Sequence, residues 1–342
     1  MSKVTERRKE EHININLTQD VQFPTLKTGL EKYRFLHHAL PEIDFKDINT
    51  EVSIFGKKTG SPVFISSMTG GTERAQNINR TLAQVAQEYH LAMGVGSQRA
   101  ALEDPEQIKT FQVRPVAPDI LLFANLGAVQ LNYHYGINHC LRAVEMIEAD
   151  ALILHFNALQ EAVQPEGDTN FYRLSDKVAE VCAKLPVPVI AKEVGWGFSP
   201  PDVRLLADAG VSAIDVAGSG GTSWSQVEYH RAPTAFHAEV ARSFADWGIE
   251  TAEAIRYVKD TVPGMTVFAS GGLRTGIDAA KCIALGATLT GIAGSFLKAA
   301  DQSIDAVREL VEILQAQLKI SMFCTGSRTI EELARAELIQ SD

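Results

Sequence analysis

Cysteine is scarce. Cys140, Cys182, Cys282 and Cys324 are the only four in 342 residues, and no two form a C-x-x-C pair. This argues against a disulfide framework and indicates reduced, structural thiols in a cytoplasmic protein. Positive charge is also short. The 32 Lys and Arg residues stand against 42 Asp and Glu, a net charge of −10, which argues against general binding to nucleic acid or an anionic membrane. A few local cations can still hold an anionic ligand. No apolar run approaches membrane-spanning length, and MSKVTERRKEEHININ has no apolar core for a signal peptide. There is no G-x-G-x-x-G either, so a doubly wound dinucleotide-binding sheet lacks its usual phosphate turn. Low-complexity tracts and linker-like boundaries are absent as well.

What is present is an alternation. Short apolar runs recur as PVFISS (62–67), LAMGVG (91–96), DILLFANLG (119–127) and DALILHF (150–156). They continue as VPVIAKEV (187–194), VSAIDVAG (211–218), MTVFASGG (265–272) and ATLTGIAG (287–294). Runs so continuously apolar suit strands buried on both faces of a parallel sheet. The segments between them have helical spacing and often end in Gly. Eight such units predict an α/β fold, a (β/α)8 TIM barrel, over residues 61–342. Residues 1–60 read as a partly extended appendage contributing to the active-site mouth. The long stretch after the sixth run reads as a structured insertion at about 223–250.

In such barrels the working residues sit at the carboxyl ends of the strands. Here those ends read SSMTGG, GVGSQR, ANLGA, HFNALQE, KEVGWG, DVAGSGGTSW, ASGGLRTG and GIAGSF, all small, polar or charged. The glycines after strands seven and eight, joined by GSGGT (218–222) and the Thr222 hydroxyl, suggest a phosphate site, because glycine lets backbone N–H groups approach phosphate oxygens closely. With Lys192 and Asn125 nearby, the ligand suggested is FMN, whose reduced ring a lysine can stabilise as the anion. The SSMTGG backbone would run along the ring edge.

HFNALQE places His155 and Asn157 on the inward face and Phe156 outward, with Gln160 and Glu161 in the following loop. One carboxylate among amides is neither a glycosidase pair nor a zinc site. It suits Mg²⁺, whose shell substrate phosphates can complete. Groups for a diphosphate are available from GSQR (Ser97, Gln98 and the cation Arg99) and from Arg8, Lys9 and His12, although so charged a start is normally a solvated tail.

RKEEHI, MTGG, GSQR, NALQE, KEVGWG and GSGGTSW, in this order and over nearly the whole chain, resemble the type 2, flavin-dependent isopentenyl diphosphate isomerase family. The resemblance implies interconversion of isopentenyl and dimethylallyl diphosphate on an FMN-bound barrel, with FMN reduced by NADPH or NADH and with Mg²⁺ required. It implies Glu161 as the metal residue and Gln160, His155 and Lys192 as catalytic residues. Arg8, Lys9, His12, Ser97, Gln98, Arg99, His155, Asn157 and Gln160 would bind the substrate or its metal assembly. FMN would be held by Ser67, Met68, Thr69, Ser97, Asn125, Lys192, Thr222, Gly271, Gly272, Leu273, Arg274, Ala293 and Gly294. A homo-oligomer, tetramer or octamer, is implied too. The reaction is an allylic 1,3-proton shift without net redox change, and neither a Gln amide nor a neutral His can protonate an unactivated alkene. The reduced flavin is therefore the expected acid and base. The competing expectation is an FMN-dependent hydroxy-acid oxidase, which wants a His base beside an Arg where this chain has GSGGTSW. A non-catalytic flavin-binding regulator would have no use for Glu161.

Overall fold

The apolar runs become strands because their side chains are covered on both sides. Leu152, Ile153 and Leu154 are wholly buried, as are Ile190 and Ala191 on the adjacent strand. In the computed structural model, which describes residues 3–340, the eight runs form β1 (Val63–Ile65), β2 (Met93–Gly94), β3 (Leu122–Gly127) and β4 (Ala151–Phe156). They continue as β5 (Val189–Glu193), β6 (Ala213–Asp215), β7 (Thr266–Ala269) and β8 (Leu289–Ile292). All pair in parallel and close in sequence order into a barrel. One set of register partners matters for the site. Gly127 lies opposite His155, His155 opposite Lys192, and Lys192 opposite Asp215.

The barrel floor is aromatic. Phe64, Phe123 and Phe268 meet with ring centroids 5.7–5.9 Å apart, which fills the interior below the polar strand ends. An antiparallel hairpin, Val52–Ile54 with Lys57–Thr59, closes the amino end and brings Phe55 to 6.2 Å from Phe268. A second core lies between the strands and the outer helices. In the helix Glu73–Glu88, Ile78, Leu82, Val85 and Ala86 are buried at helical spacing, and Thr72 caps the start by accepting from the Ala75 N–H.

Residues 3–18 do not form the solvated tail that so charged a start normally makes. Lys3–Thr18 is a helix, and Ile13 on it is buried. The short strand Tyr33–Phe35 pairs antiparallel with Leu338–Gln340, tying the segment before the barrel to the end of the chain. The stretch after β6 holds two helices, Trp224–Arg231 and Ala235–Arg242, packed on one another and on the helix Ala158–Val163. All four cysteines are free, and burial pushes the Cys140 thiol up to about 12. Among the described residues no helix is long and apolar enough to cross a membrane.

Candidate active site

At the carboxyl end of the barrel lies a cavity of about 770 Å³. With one exception, every residue singled out for a site in the sequence lines it. The exception is Gln98, which corrects the expectation that it binds substrate. Its side chain is fully buried, its Nε2 donates to the Ala143 carbonyl at 2.8 Å, and its Oε1 accepts from the Asn125 N–H at 2.9 Å. Gln98 braces β3 behind the cavity.

On one wall the glycine loops meet backbone to backbone. Gly271 (φ +101°) and Gly272 (φ +76°) adopt the left-handed region, and a Cβ on Gly271 would stand 2.1 Å from the Gly218 carbonyl oxygen. Only glycine fits there. Beside them, Ala293 and Gly294 begin the helix Gly294–Gln302, and nothing lies within 4 Å of a Cβ on Gly294. The helix thus presents its N–H groups to open space, an arrangement that suits an anion. Leu273 lines the same wall, Arg274 bonds to Gln22 across it, and Thr222 donates to Asn16 at 3.2 Å. On the opposite side, Gly94 makes room for Ser67, because a Cβ there would come within 2.4 Å of the Ser67 Oγ. That Oγ is buried with no partner. Met68 and Thr69 continue the wall, and Gly96 packs on the Thr69 backbone with its N–H donating to the Thr69 carbonyl at 3.0 Å.

The rung formed by the strand register carries the next set. His155 Nδ1 lies 2.8 Å from Asn125 Oδ1, and burial, aided by the Lys192 charge, pushes the imidazole down to about 4, so it is neutral near pH 7. Phe156 turns outward onto Phe198 at 5.7 Å, as strand alternation requires. Lys192 Nζ donates to Ser270 Oγ and to the Glu193 carbonyl, both at 3.1 Å, and lies 3.3 Å from Asp215 Oδ2. The Glu193 carboxylate turns the other way and gathers the N–H groups of residues 194–197, which shapes the loop after β5.

Gln160 and Glu161 sit on the short helix Ala158–Val163 rather than in a loop. Asn157 Nδ2 donates to Glu161 Oε1 at 2.8 Å, and Glu161 Oε2 accepts the Asp168 N–H at 2.7 Å. Burial nevertheless raises the Glu161 pKa above the usual carboxylate range. Asn157 Oδ1 is buried without a partner. Gln160 Nε2 donates to Glu228 Oε1 at 3.0 Å, and His12 Nε2 approaches the same oxygen at 3.2 Å. Burial opposes the Glu228 charge, but the His12 contact and the Arg231 guanidinium outweigh it and lower the Glu228 pKa.

The helix Lys3–Thr18 supplies the outermost side chains. Lys9 Nζ donates to the Ser97 carbonyl at 2.9 Å and lies 5.0 Å from the Phe111 ring centroid, and Arg8 reaches Gln164 at 3.5 Å. Burial, with Arg8 beside it, pushes the Lys9 ammonium down to about 7. Across the mouth, Arg99 is fixed by Glu103 at 2.8 Å and Asp168 at 2.9 Å.

Asp168, Asp215, Glu228 and Arg231 were not singled out in the sequence. Asp215 had a visible signal, a lone acid inside the apolar run SAID, one register step from Lys192. Glu228 and Arg231 had none, because they stand in the stretch after β6, where no strand sets the spacing.

A family model described as FMN-dependent dehydrogenase matches residues 142–340. An isopentenyl-diphosphate delta-isomerase of Nostoc sp. is 54% identical over 336 residues, covering 98% of this chain and 96% of that one. Its counterpart in Rickettsia rickettsii is 52% identical over 331 residues, covering 97% and 96%. Among solved structures, a mandelate oxidase variant superposes with a TM-score of 0.68 at 18% identity, covering 98% of this chain and 99% of that one. At that identity the likeness concerns the barrel alone.

Proposed function

The chain belongs to the isopentenyl-diphosphate delta-isomerase family, and we propose that it interconverts isopentenyl and dimethylallyl diphosphate by a 1,3-proton shift, with reduced FMN and Mg²⁺. One observation carries this reading. A single cavity joins an anion-ready glycine wall, a lysine at mid-depth and a cationic mouth formed by Arg8, Lys9 and Arg99.

FMN fits the residues present. The open helix start at Gly294, the left-handed turn at Gly271–Gly272 and Thr222 form a phosphate cradle, and Ser67, Met68, Thr69 and Asn125 line the space left for the ring system. Mg²⁺ fits as a minimal site. Among the described residues no group of three His, Cys, Asp or Glu side chains is placed to hold a metal ion, so Glu161 would hold the ion with water and substrate phosphate completing the shell. Asn157, bonded to Glu161, lines the same cavity. When bound, reduced FMN supplies the acid and base that no side chain here can provide.

The chain does the rest. Arg8, Lys9 and Arg99 would grip the diphosphate, with Ser97 and His12 beside them. That binding energy, remote from the reacting carbons, holds the alkene in place. Neutral His155 and Asn157 would contact the diphosphate–metal assembly as hydrogen-bond partners rather than as charges. Gln160, fixed by Glu228, would orient the reacting carbons, and Lys192 would lie against the flavin ring. Residues 1–60 serve in this reading as part of the mouth, excluding water once substrate is bound. NADPH or NADH is the reductant, the enzyme is a homo-oligomer, and it works in the cytoplasm.

The test uses purified protein with FMN, Mg²⁺ and isopentenyl diphosphate, first oxidised and then reduced anaerobically, followed by NMR in D₂O. Deuterated dimethylallyl diphosphate formed only with reduced flavin, without stoichiometric flavin oxidation, supports the reading. No turnover with reduced FMN bound sinks it and redirects the search to 2-hydroxy acids.

A further inference from the structure

Behind Lys192 stands a carboxylate that the proposed reaction does not use. Asp215 is wholly buried and does not line the cavity; Lys192, its register partner, stands between it and the space. Its Oδ1 accepts from Ser270 Oγ at 2.6 Å, and its Oδ2 has no hydrogen-bond partner, only the Lys192 ammonium at 3.3 Å. A buried, half-satisfied carboxylate is costly unless a charge needs it. The charge it meets is the one aimed at the cofactor site.

The other titratable groups near Lys192 do not balance it. Glu193 points its carboxylate at the N–H groups of residues 194–197, and His155 on β4 is neutral. Asp215 is the counter-charge. A solitary ammonium beside a reduced flavin favours loss of the ring proton and the anionic ring. An ammonium paired with a carboxylate directly behind it exerts a much weaker net field. Hydride-accepting chemistry gains from a bare cation. A proton shift that leaves the flavin's electron count unchanged gains from keeping the proton on.

Resting on the FMN reading above, we infer that Asp215 is a positioning and charge-balancing residue that offsets Lys192 so that bound reduced FMN keeps its pyrimidine-ring proton. The experiment compares wild-type holoenzyme with Asp215→Asn, both reduced anaerobically and titrated with pH, reading the near-ultraviolet absorbance that separates neutral from anionic reduced flavin. In Asp215→Asn the transition should fall on the order of one pH unit or more, and the midpoint potential of FMN should rise. Ser270→Ala, which loosens the carboxylate but keeps both charges, should shift it the same way and less. It carries the test if Asp215→Asn does not fold. An Asn isostere in a merely structural role would leave the transition in place. An unchanged or raised transition in a variant that retains FMN overturns the inference. Wild-type protein that fails to retain FMN overturns instead the reading on which it rests.

Discussion

Lys9 and His155 are both pushed toward their neutral forms by burial, to about 7 and about 4, but the consequences differ. A diphosphate brought against Lys9 supplies the negative charge that burial withheld, so the ammonium is restored. Binding of isopentenyl diphosphate near pH 8 should therefore take up a sizeable fraction of a proton. Calorimetry in buffers of different ionisation enthalpy measures this, and Lys9→Met should abolish it. His155 acts on stability. Its folded value lies below the unfolded reference of 6.5, so between pH 6.5 and about 4 the unfolded chain binds more protons. Stability contributed by neutral His155 is full above that window and is lost as pH falls through it. Thermal melts across this range should show a shallower acid decline for His155→Gln than for wild type.

At the scale of elements, the helix Lys3–Thr18 decides whether the site is complete. It is fastened by side chains rather than by a broad apolar stripe: Lys9 to Ser97, His12 to Glu228, Glu11 to Arg231 at 3.2 Å and Asn16 to Thr222, with Ile13 as its buried anchor. Deleting residues 1–18 removes two proposed diphosphate cations yet leaves the barrel core and the glycine cradle intact. Charge-assisted hydrogen bonds contribute about 1.5–3 kcal/mol each, so kcat/KM should drop on the order of a hundredfold or more, mostly through KM. FMN retention and circular dichroism should change little. A deletion that releases FMN would place the helix in the cofactor site instead. This helix was illegible in the sequence because KVTERRKEEHININLT carries little amphipathic signal and its partners lie far along the chain. The eight strands were legible because two-sided burial writes itself as continuous apolar runs. Gln98 was misread for a related reason. A polar residue at a strand end can face the cavity or brace the neighbouring strand, and only the partners Ala143 and Asn125 decide which.

For the whole molecule, charge is distributed against its own sum. The chain carries −10, yet Arg8, Lys9, Arg99, Lys192, Arg274 and Lys298 line the cavity against only Asp20 and Glu161. An anionic substrate is thus repelled at long range and attracted once it reaches the mouth, where low-dielectric walls concentrate the local field. Salt screens both, but unequally. From 0.01 M to 0.15 M the screening length falls from about 30 Å to about 8 Å, which removes the long-range repulsion before it weakens contacts inside the cavity. Raising salt over this range, with Mg²⁺ held fixed and saturating, should leave KM for isopentenyl diphosphate level or slightly lower. Only higher salt, where the screening length approaches contact distance, should raise it several-fold. A steady rise in KM from the lowest salt would mean that the mouth, and not the net charge, governs the approach. Arg99→Gln should separate the two, raising KM at every salt concentration while leaving the low-salt behaviour as it was.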